Sequence, residues 1–235
     1  MRRWLRILGT VLIVAGVLTL VWAFVVWRWQ DPFTALYTKW RQHQLTQQYE
    51  RRVRAYHAPP IPTASIAAER RTIARAAYRY RVASKRGEAI GRIRVPRMGV
   101  NMILVNGTDH ETLKKGPGRD LRTFMPGENR LIYVAGHRTT YLAPFSHIDR
   151  MRRGDRVTLE LPYGTFIYRV THHRIVKATD LSVLRSPRHE VVELQACHPR
   201  FFASHRYIVY ARLMRVEPRG ATPYDVAELA QASGK

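Results

Sequence analysis

The chain has 235 residues, 40 Lys and Arg against 17 Asp and Glu for a formal charge of +23, and a single cysteine, Cys197. With an anchor and a linker subtracted, about 150 residues remain, which excludes two large domains and leaves one domain with a real core. The lone cysteine excludes an intramolecular disulfide, and the charge implies an anionic neighbour (nucleic acid, phospholipid or cell-wall polymer) without choosing among them.

Residues 1–6 form a short N-terminus expected on the cytoplasmic side. Ile7 to Trp27 then has no charged residue across 21 positions. As a helix it spans about 31 Å, close to the hydrocarbon thickness of a bilayer, and reads as a transmembrane anchor. It is longer than a signal-peptide core and ends in Val25-Val26-Trp27-Arg28-Trp29 rather than in a small-residue cleavage site. Trp4, Trp22, Trp27 and Trp29 cluster towards the two ends, as interfacial aromatics do. Arg2, Arg3 and Arg6 on one side balance Arg28, Lys39 and Arg41 on the other, so a tally of basic residues leaves the orientation open. Long domains cross largely regardless of charge, which makes an outside domain compatible with the tally.

Residues 28–87 form a basic, helix-prone linker. Tyr37, Trp40, Leu45, Tyr49, Val53 and Tyr56 recur every three to five residues and predict an amphipathic helix. Pro59-Pro60-Ile61-Pro62 stops it, and a second helical run from about Ser65 to Val82 carries five arginines from Arg70 to Arg81. The plain expectation is a solvated stalk. The sharper one is a basic collar against anionic headgroups or wall polymers, each Lys or Arg contributing about 1 kcal/mol near such a membrane surface.

From Glu88 the texture changes to short β-branched runs separated by Gly, Pro and Asp. Strands are predicted over Ala89 to Val95, Asn101 to Val105, Leu131 to Ala135, Arg156 to Leu161, Thr165 to Val170, Arg174 to Lys177, Val191 to Ala196 and Arg206 to Met214. Tight spacing and few helical intervals favour an antiparallel barrel or sandwich in an all-β domain over residues 88–216. Alternation in Arg156–Leu161 predicts that Val157, Leu159 and Leu161 are buried, and the apolar run Tyr207 to Met214 predicts a central strand. Residues 217–235 form a tail in which Thr222-Pro223 and Asp225 suggest a short, fraying helix.

A cysteine nucleophile needs a neighbour that takes or gives its proton, usually His, and donors for the tetrahedral oxyanion. Cys197 directly follows the run Val191 to Ala196, at a strand end where a thiol can point into a cleft. His137 follows Leu131 to Ala135 after one Gly, and a hairpin would return Arg206 to the neighbourhood of Cys197. Taken alone, each residue has a bland reading: free Cys is commonly a small buried hydrophobe, and a lone His or Arg is usually structural or solvated. Arg138 is expected at the surface or in a substrate groove.

The order His, Cys, Arg within Tyr133-Val134-Ala135-Gly136-His137-Arg138-Thr139-Thr140, Leu194-Gln195-Ala196-Cys197-His198-Pro199 and Arg206-Tyr207-Ile208-Val209 resembles the sortases. Segments similar to Leu113-Lys114-Lys115-Gly116-Pro117-Gly118, Met125-Pro126-Gly127-Glu128-Asn129, Ala143-Pro144-Phe145-Ser146-His147-Ile148-Asp149 and Arg153-Gly154-Asp155 point to class E, from high-GC Gram-positive bacteria. The resemblance covers roughly Glu88 to Met214. It implies an eight-stranded β-barrel with short helices and a cysteine transpeptidase, a peptidase-type enzyme. Cys197 would form a thioester at the Thr-Gly bond of an L-A-x-T-G-like or L-P-x-T-G-like motif, His137 would protonate the leaving amine, and Arg206 would bind the developing oxyanion. Implied partners are secreted proteins with a C-terminal sorting signal, a peptidoglycan amine as acceptor, and the membrane, without nucleic acid. The family signature before the nucleophile is T-L-x-T-C, whereas this chain reads Glu193-Leu194-Gln195-Ala196-Cys197. The Thr beside the Cys borders the substrate groove in the family, so Ala196 is expected to bear on substrate preference. Unperturbed pKa values of about 8.5 for Cys and about 6.5 for His leave only a minority of molecules holding thiolate and imidazolium together, so slow turnover is expected.

Two other readings stand beside this one. An L,D-transpeptidase or an NlpC/P60-like peptidase also uses Cys and His on wall peptides, but the former presents its Cys after a Gly and the latter places Cys near a helix start, before its His. A non-catalytic basic module would bind wall polymer or nucleic acid with steep salt dependence. No C-x-x-C or H-E-x-x-H spacing exists, so neither a metal nor a cofactor is expected.

Overall fold

A computed structural model describes residues 2–29, 32–58 and 65–227. The Pro59-Pro60-Ile61-Pro62 stop, residues 228–235 of the tail and the side chains of Trp27 and Trp29 lie outside the described residues. Helix α1 (Arg2–Trp29) carries the apolar segment, and Arg2–Val25 is long and apolar enough to cross a membrane, with mean hydropathy 2.5 over its most apolar window.

Strands β1 (Ala89–Val95), β2 (Val100–Asn106), β3 (Gly118–Arg119), β4 (Leu131–Ala135), β5 (Arg156–Leu161), β6 (Gly164–Lys177), β7 (Val191–His198), β8 (His205–Pro218) and β9 (Tyr224–Asp225) form one sheet. Its order is β6-β5-β1-β2-β3-β4-β7-β8-β9, and a further β6–β8 ladder joins the eighth strand back to the first. The result is a closed eight-stranded barrel with β9 added to the end of β8, a closure that removes the long open edges. The barrel is not wholly antiparallel as expected, because β2–β3 and β4–β7 run parallel. Parallel neighbours require crossover connections, which the segments 107–117 and 136–190 supply.

Alternation along the strands fills the interior: Val157, Leu159 and Leu161 are buried as predicted, beside Ile93, Ile132, Val192, Leu194 and Val209. Strand β8 is central, bonded to both β7 and β6. The two predicted strands Thr165 to Val170 and Arg174 to Lys177 are one strand, β6. The polar run Thr171-His172-His173 between them reads like a loop, but a register shift between Val170 and His172 carries the strand through it. Both imidazoles are exposed, and His172 stacks on Tyr210 at 4.3 Å between ring centroids. In the tail, Tyr224 and Asp225 first pair with Val216 and Arg215, with Tyr224 buried against the core, and helix begins only after them, at Val226.

The segment expected as a solvated stalk lies on the barrel instead. Helix α2 (Pro32–Ala55) buries Leu45 and Tyr49, and its Gln42 side chain accepts from the Ile103 N–H at 2.7 Å and donates to the Ile103 carbonyl at 3.1 Å. The Tyr49 hydroxyl donates to the Glu160 carbonyl at 2.9 Å, and Arg52 pairs with Glu88, whose carboxyl is held below its ordinary range, against the effect of burial, by the Lys85 N–H and by Arg52. Helix α3 (Ile66–Ala83), capped by Ser65, inserts Ile73 and Ala77 into the main core, and Tyr80 donates to the Ile90 carbonyl at 2.9 Å. The arginines that gave the linker its stalk-like look occupy the outer faces, a difference that composition averaged over both faces conceals.

Buried polar groups fix the barrel ends. Glu190 accepts from the Tyr168 hydroxyl at 2.6 Å and from the N–H groups of Gly127 and Asn129 at 2.9 and 3.0 Å, while burial pushes its pKa up to about 7. Arg119, 1% exposed, holds Asn106 on β2 and the Thr123 carbonyl, which ties the two-residue β3 between its neighbours. If α3 is part of the folded unit, Ile73→Ala removes a buried side chain and is expected to cost about 2–5 kcal/mol. Urea unfolding checks this: an unchanged midpoint would mean a dispensable linker.

Candidate active site

The parallel pair β4–β7 places Ala135 beside Gln195, and the Gly136 N–H continues the ladder to the Gln195 carbonyl at 3.0 Å. Two residues beyond this pair, His137 and Cys197 emerge at the same end of the barrel. Across the other side of β7, Cys197 stands opposite Arg206 on β8. The three predicted residues therefore stand in a row across three adjacent strands, which lie about 4.8 Å apart in any sheet. All three line one cleft of about 280 Å³, with Tyr133, Gln195, Leu184 and the Asp120–Arg122 pair.

Strand alternation decides which neighbours of Cys197 share its face. Val191, Glu193, Gln195 and Cys197 point to the outer face, while Val192, Leu194 and Ala196 point into the core, where Ala196 is fully buried. The expectation that Ala196 borders the groove is therefore corrected: in this chain it faces away from the cleft. The departure from T-L-x-T-C that does share the face of the thiol is Glu193. Its carboxyl is 4% exposed, one oxygen has no hydrogen-bond partner, and burial pushes its pKa up to about 8. It lines a neighbouring cavity of about 520 Å³ along the same strand, with Arg174, Tyr210 and Val183, the last shared with the cleft.

Gly136 sets the approach of His137: a Cβ there would meet ring carbons of Phe145 at 2.8–3.0 Å, so only glycine lets that ring pack beneath the turn. The Phe145 N–H returns to the His137 carbonyl at 3.0 Å. The intervening loop holds Tyr141, Leu142 and Ala143 at φ values of 53°, 63° and 37°, an unusual run for residues with side chains. It is pinned by the Ala143 N–H to Thr140 at 2.8 Å and by the Tyr141 N–H to the Thr34 hydroxyl of α2 at 3.1 Å. The Tyr141 ring lies 5.0 Å from that of His137, and His110 approaches edge-on at 6.3 Å. Burial first, and the charge of His110 second, lower the His137 pKa to about 4, and its Nε2 is buried without a partner. The imidazole is thus neutral at pH 7 and open to accept a proton.

Arg138, expected at the surface or in a substrate groove, is 6% exposed and is not among the residues that line the cleft. Its guanidinium donates to the Cys197 carbonyl at 3.2 Å, lies 3.0 Å from His198 Nδ1, and pairs with Asp149 at 3.3 Å. It ties the loop after His137 to the backbone of Cys197, a positioning role that the sequence, rich in arginines, gives no means of singling out. Arg206 is held to its hairpin by bonds to the carbonyls of Ala203 and His205 at 2.7 and 3.0 Å. A buried imidazole with a free nitrogen, a thiol and a guanidinium side by side can perform acyl transfer.

The family model for the sortase domain matches residues 93–214, just over half of the chain. The chain is 34% identical to Sortase D of Bacillus subtilis over 131 residues, covering 54% of this chain and 64% of that protein, so it spans somewhat under two thirds of the relative's length. Among solved structures it is similar to a Clostridium perfringens Sortase D5 transpeptidase, with TM-score 0.59 and 23% identity over 74% of this chain and 98% of the other. It is also similar to sortase E of Streptomyces avermitilis, with TM-score 0.51 and 31% identity over 59% and 97%. A barrel of this topology, with Cys and Arg on adjacent strands and His just past the end of a third inside the matched region, has one consistent conclusion: the chain belongs to the sortase family.

Proposed function

We propose that this protein is a membrane-anchored cysteine transpeptidase that cleaves the Thr-Gly bond of a sorting motif in secreted proteins and passes the acyl group to a peptidoglycan amine. The observation that carries the reading is the row His137, Cys197, Arg206 along one cleft. Helix α1 would hold the catalytic domain on the outer face of the membrane, where secreted substrates emerge. The assignment to class E rests on the segments 113–118, 125–129, 143–149 and 153–155, while the similar proteins carry both class D and class E names.

The protonation state of His137 selects the route. A neutral imidazole takes the thiol proton as Sγ attacks the scissile carbonyl carbon, and Arg206 faces the oxygen on which charge develops. The C–N bond then breaks, the proton on His137 passes to the leaving glycine amine, and a thioester remains on Cys197. The acceptor amine attacks the thioester, its proton goes to His137, and the thiol leaves with that proton. Atoms and charge balance without a resting thiolate–imidazolium pair, in contrast to the minority ion pair expected from the sequence.

Mass spectrometry of the protein incubated with an L-A-x-T-G peptide is expected to show an acyl adduct on Cys197, absent in Cys197→Ala. Arg206→Ala is expected to lower kcat by about 10²–10³, the usual loss of an oxyanion donor. Wall stem-peptide cleavage without this adduct would replace the reading with a wall peptidase.

Because the free enzyme needs neutral His137, kcat/KM should fall on the acid side only as pH drops towards about 4. His110→Gln removes the neighbouring charge and is expected to move that limb to higher pH. An acid limb near the ordinary histidine value of about 6.5 would contradict the neutral-imidazole route.

Substrate preference is expected to follow the outer face of β7. Glu193→Thr should change the ratio of kcat/KM between L-A-x-T-G and L-P-x-T-G peptides several-fold. Ala196→Thr should leave that ratio unchanged and cost about 1–3 kcal/mol by overpacking the core. The reverse pattern would restore Ala196 to the groove.

A further inference from the structure

The end of the barrel that carries the site is also the end nearest the membrane anchor. Trp29 closes α1 and Pro32 opens α2, so two residues, three Cα-to-Cα steps of at most about 11 Å in all, separate them. Two helical residues further on, about 3 Å of rise, Thr34 accepts from the Tyr141 N–H at 3.1 Å. Tyr141 in turn lies against His137. One turn along α2, the Thr38 hydroxyl donates to the Lys114 carbonyl at 2.9 Å, beside Leu113 in the cleft wall. Covalent reach alone therefore holds the His137 loop within about 20 Å of the point where the chain leaves a membrane spanned by α1.

The loops that share this end follow from strand direction. Strands β4 and β7 are parallel, so the segments after both, 136–147 and 199–204, project the same way, and Arg200 donates to the Ser146 carbonyl between them. On this end the apolar surface is laid open. Outside α1, the described large apolar side chains more than 60% exposed are Leu36, Val82, Leu181, Phe201 and Phe202. All but Val82 stand at the Cys197 end: Leu36 in the first turns of α2, Leu181 at the cleft, and the two phenylalanines, 61% and 81% exposed, between β7 and β8. Trp40, 53% exposed, follows Leu36 one turn later on α2. Exposed Lys39 and Arg200 accompany them. Aromatic and aliphatic tips ringed by basic residues are the composition that settles into the headgroup layer of an anionic bilayer.

We propose that the barrel stands site-end down on the bilayer that holds its anchor, with Phe201, Phe202 and Leu36 in the lipid headgroup layer and the Cys197 cleft opening beside it. The placement rests on α1 being the membrane anchor. Its chemical consequence is that a polypeptide still held in the same bilayer meets the thiol from the membrane side, without having to extend over the barrel.

The test uses the full chain with Cys197→Ser, reconstituted in vesicles of phosphatidylglycerol and phosphatidylcholine, carrying one nitroxide label at a time. Labels are placed at Phe202→Cys and Leu36→Cys on the proposed face, at Arg188→Cys before β7 at the opposite barrel end, and at Val14→Cys within α1. Collisions with oxygen, which concentrates in lipid, are compared with collisions with a water-soluble nickel chelate. The expected result is a several-fold higher oxygen-to-nickel ratio at 202 and 36 than at 188, with 14 higher still. If 14 is in lipid while 202 and 36 match 188, the proposal falls and the anchor stands. If 14 is itself in water, anchor and proposal both fall. If 202 is shielded only after a peptide with an apolar C-terminal tail is added, the phenylalanines belong to a peptide site and the proposal is likewise overturned.

Discussion

Strands β4 and β7 run parallel and in register, Ala135 beside Gln195, and the placement of the reactive groups descends from that pairing. A parallel pair ends both strands at the same rim, so the residues two positions past the last pair emerge together on one face. Antiparallel pairing of the same two strands would have sent His137 and Cys197 to opposite ends of the barrel. The β7–β8 hairpin adds Arg206 directly across from Cys197. Gly136 completes the arrangement by allowing the Phe145 ring to support the turn from below.

Burial then tunes the chemistry that geometry assembled. The chain is strongly basic as a whole, yet the largest influence on His137 is desolvation, which disfavours its charged form. The same physics raises Glu193 on the same face of β7, so a histidine and a carboxyl near the cleft are both held neutral around pH 7. The buried Arg138 guanidinium, which would be costly alone, is partnered by Asp149, the Cys197 carbonyl and His198. That network couples the backbone at Cys197 to the loop that follows His137.

The two helices between the apolar helix and the barrel join these levels. Their basic outer faces disguise inner faces that bury Leu45, Tyr49, Ile73 and Ala77, and their polar side chains satisfy backbone groups of β1, β2 and β5. Helix α2 begins at the site rim, where Thr34 braces the left-handed Tyr141–Ala143 run. The start of α2 is thus tied directly to the loop that follows His137.

By itself the sequence determined the anchor-length apolar helix, most strand positions and the candidate trio, because apolar runs, period-two alternation and motif spacing are properties of adjacent residues. It also contained the answer for Ala196 and Glu193, since counting back from Cys197 in steps of two reaches Gln195 and Glu193 and never Ala196. The continuity of β6 through Thr171-His172-His173, the pairing of Tyr224 with Val216 and the docking of α2 and α3 were decided only by tertiary structure. Each depends on a partner strand or face distant in the chain that overrides local propensity. The buried state of Arg138, the lowered pKa of His137 and the raised one of Glu193 belong to the same class. Desolvation is a property of the surrounding volume, and no local run of residues specifies what will fill it.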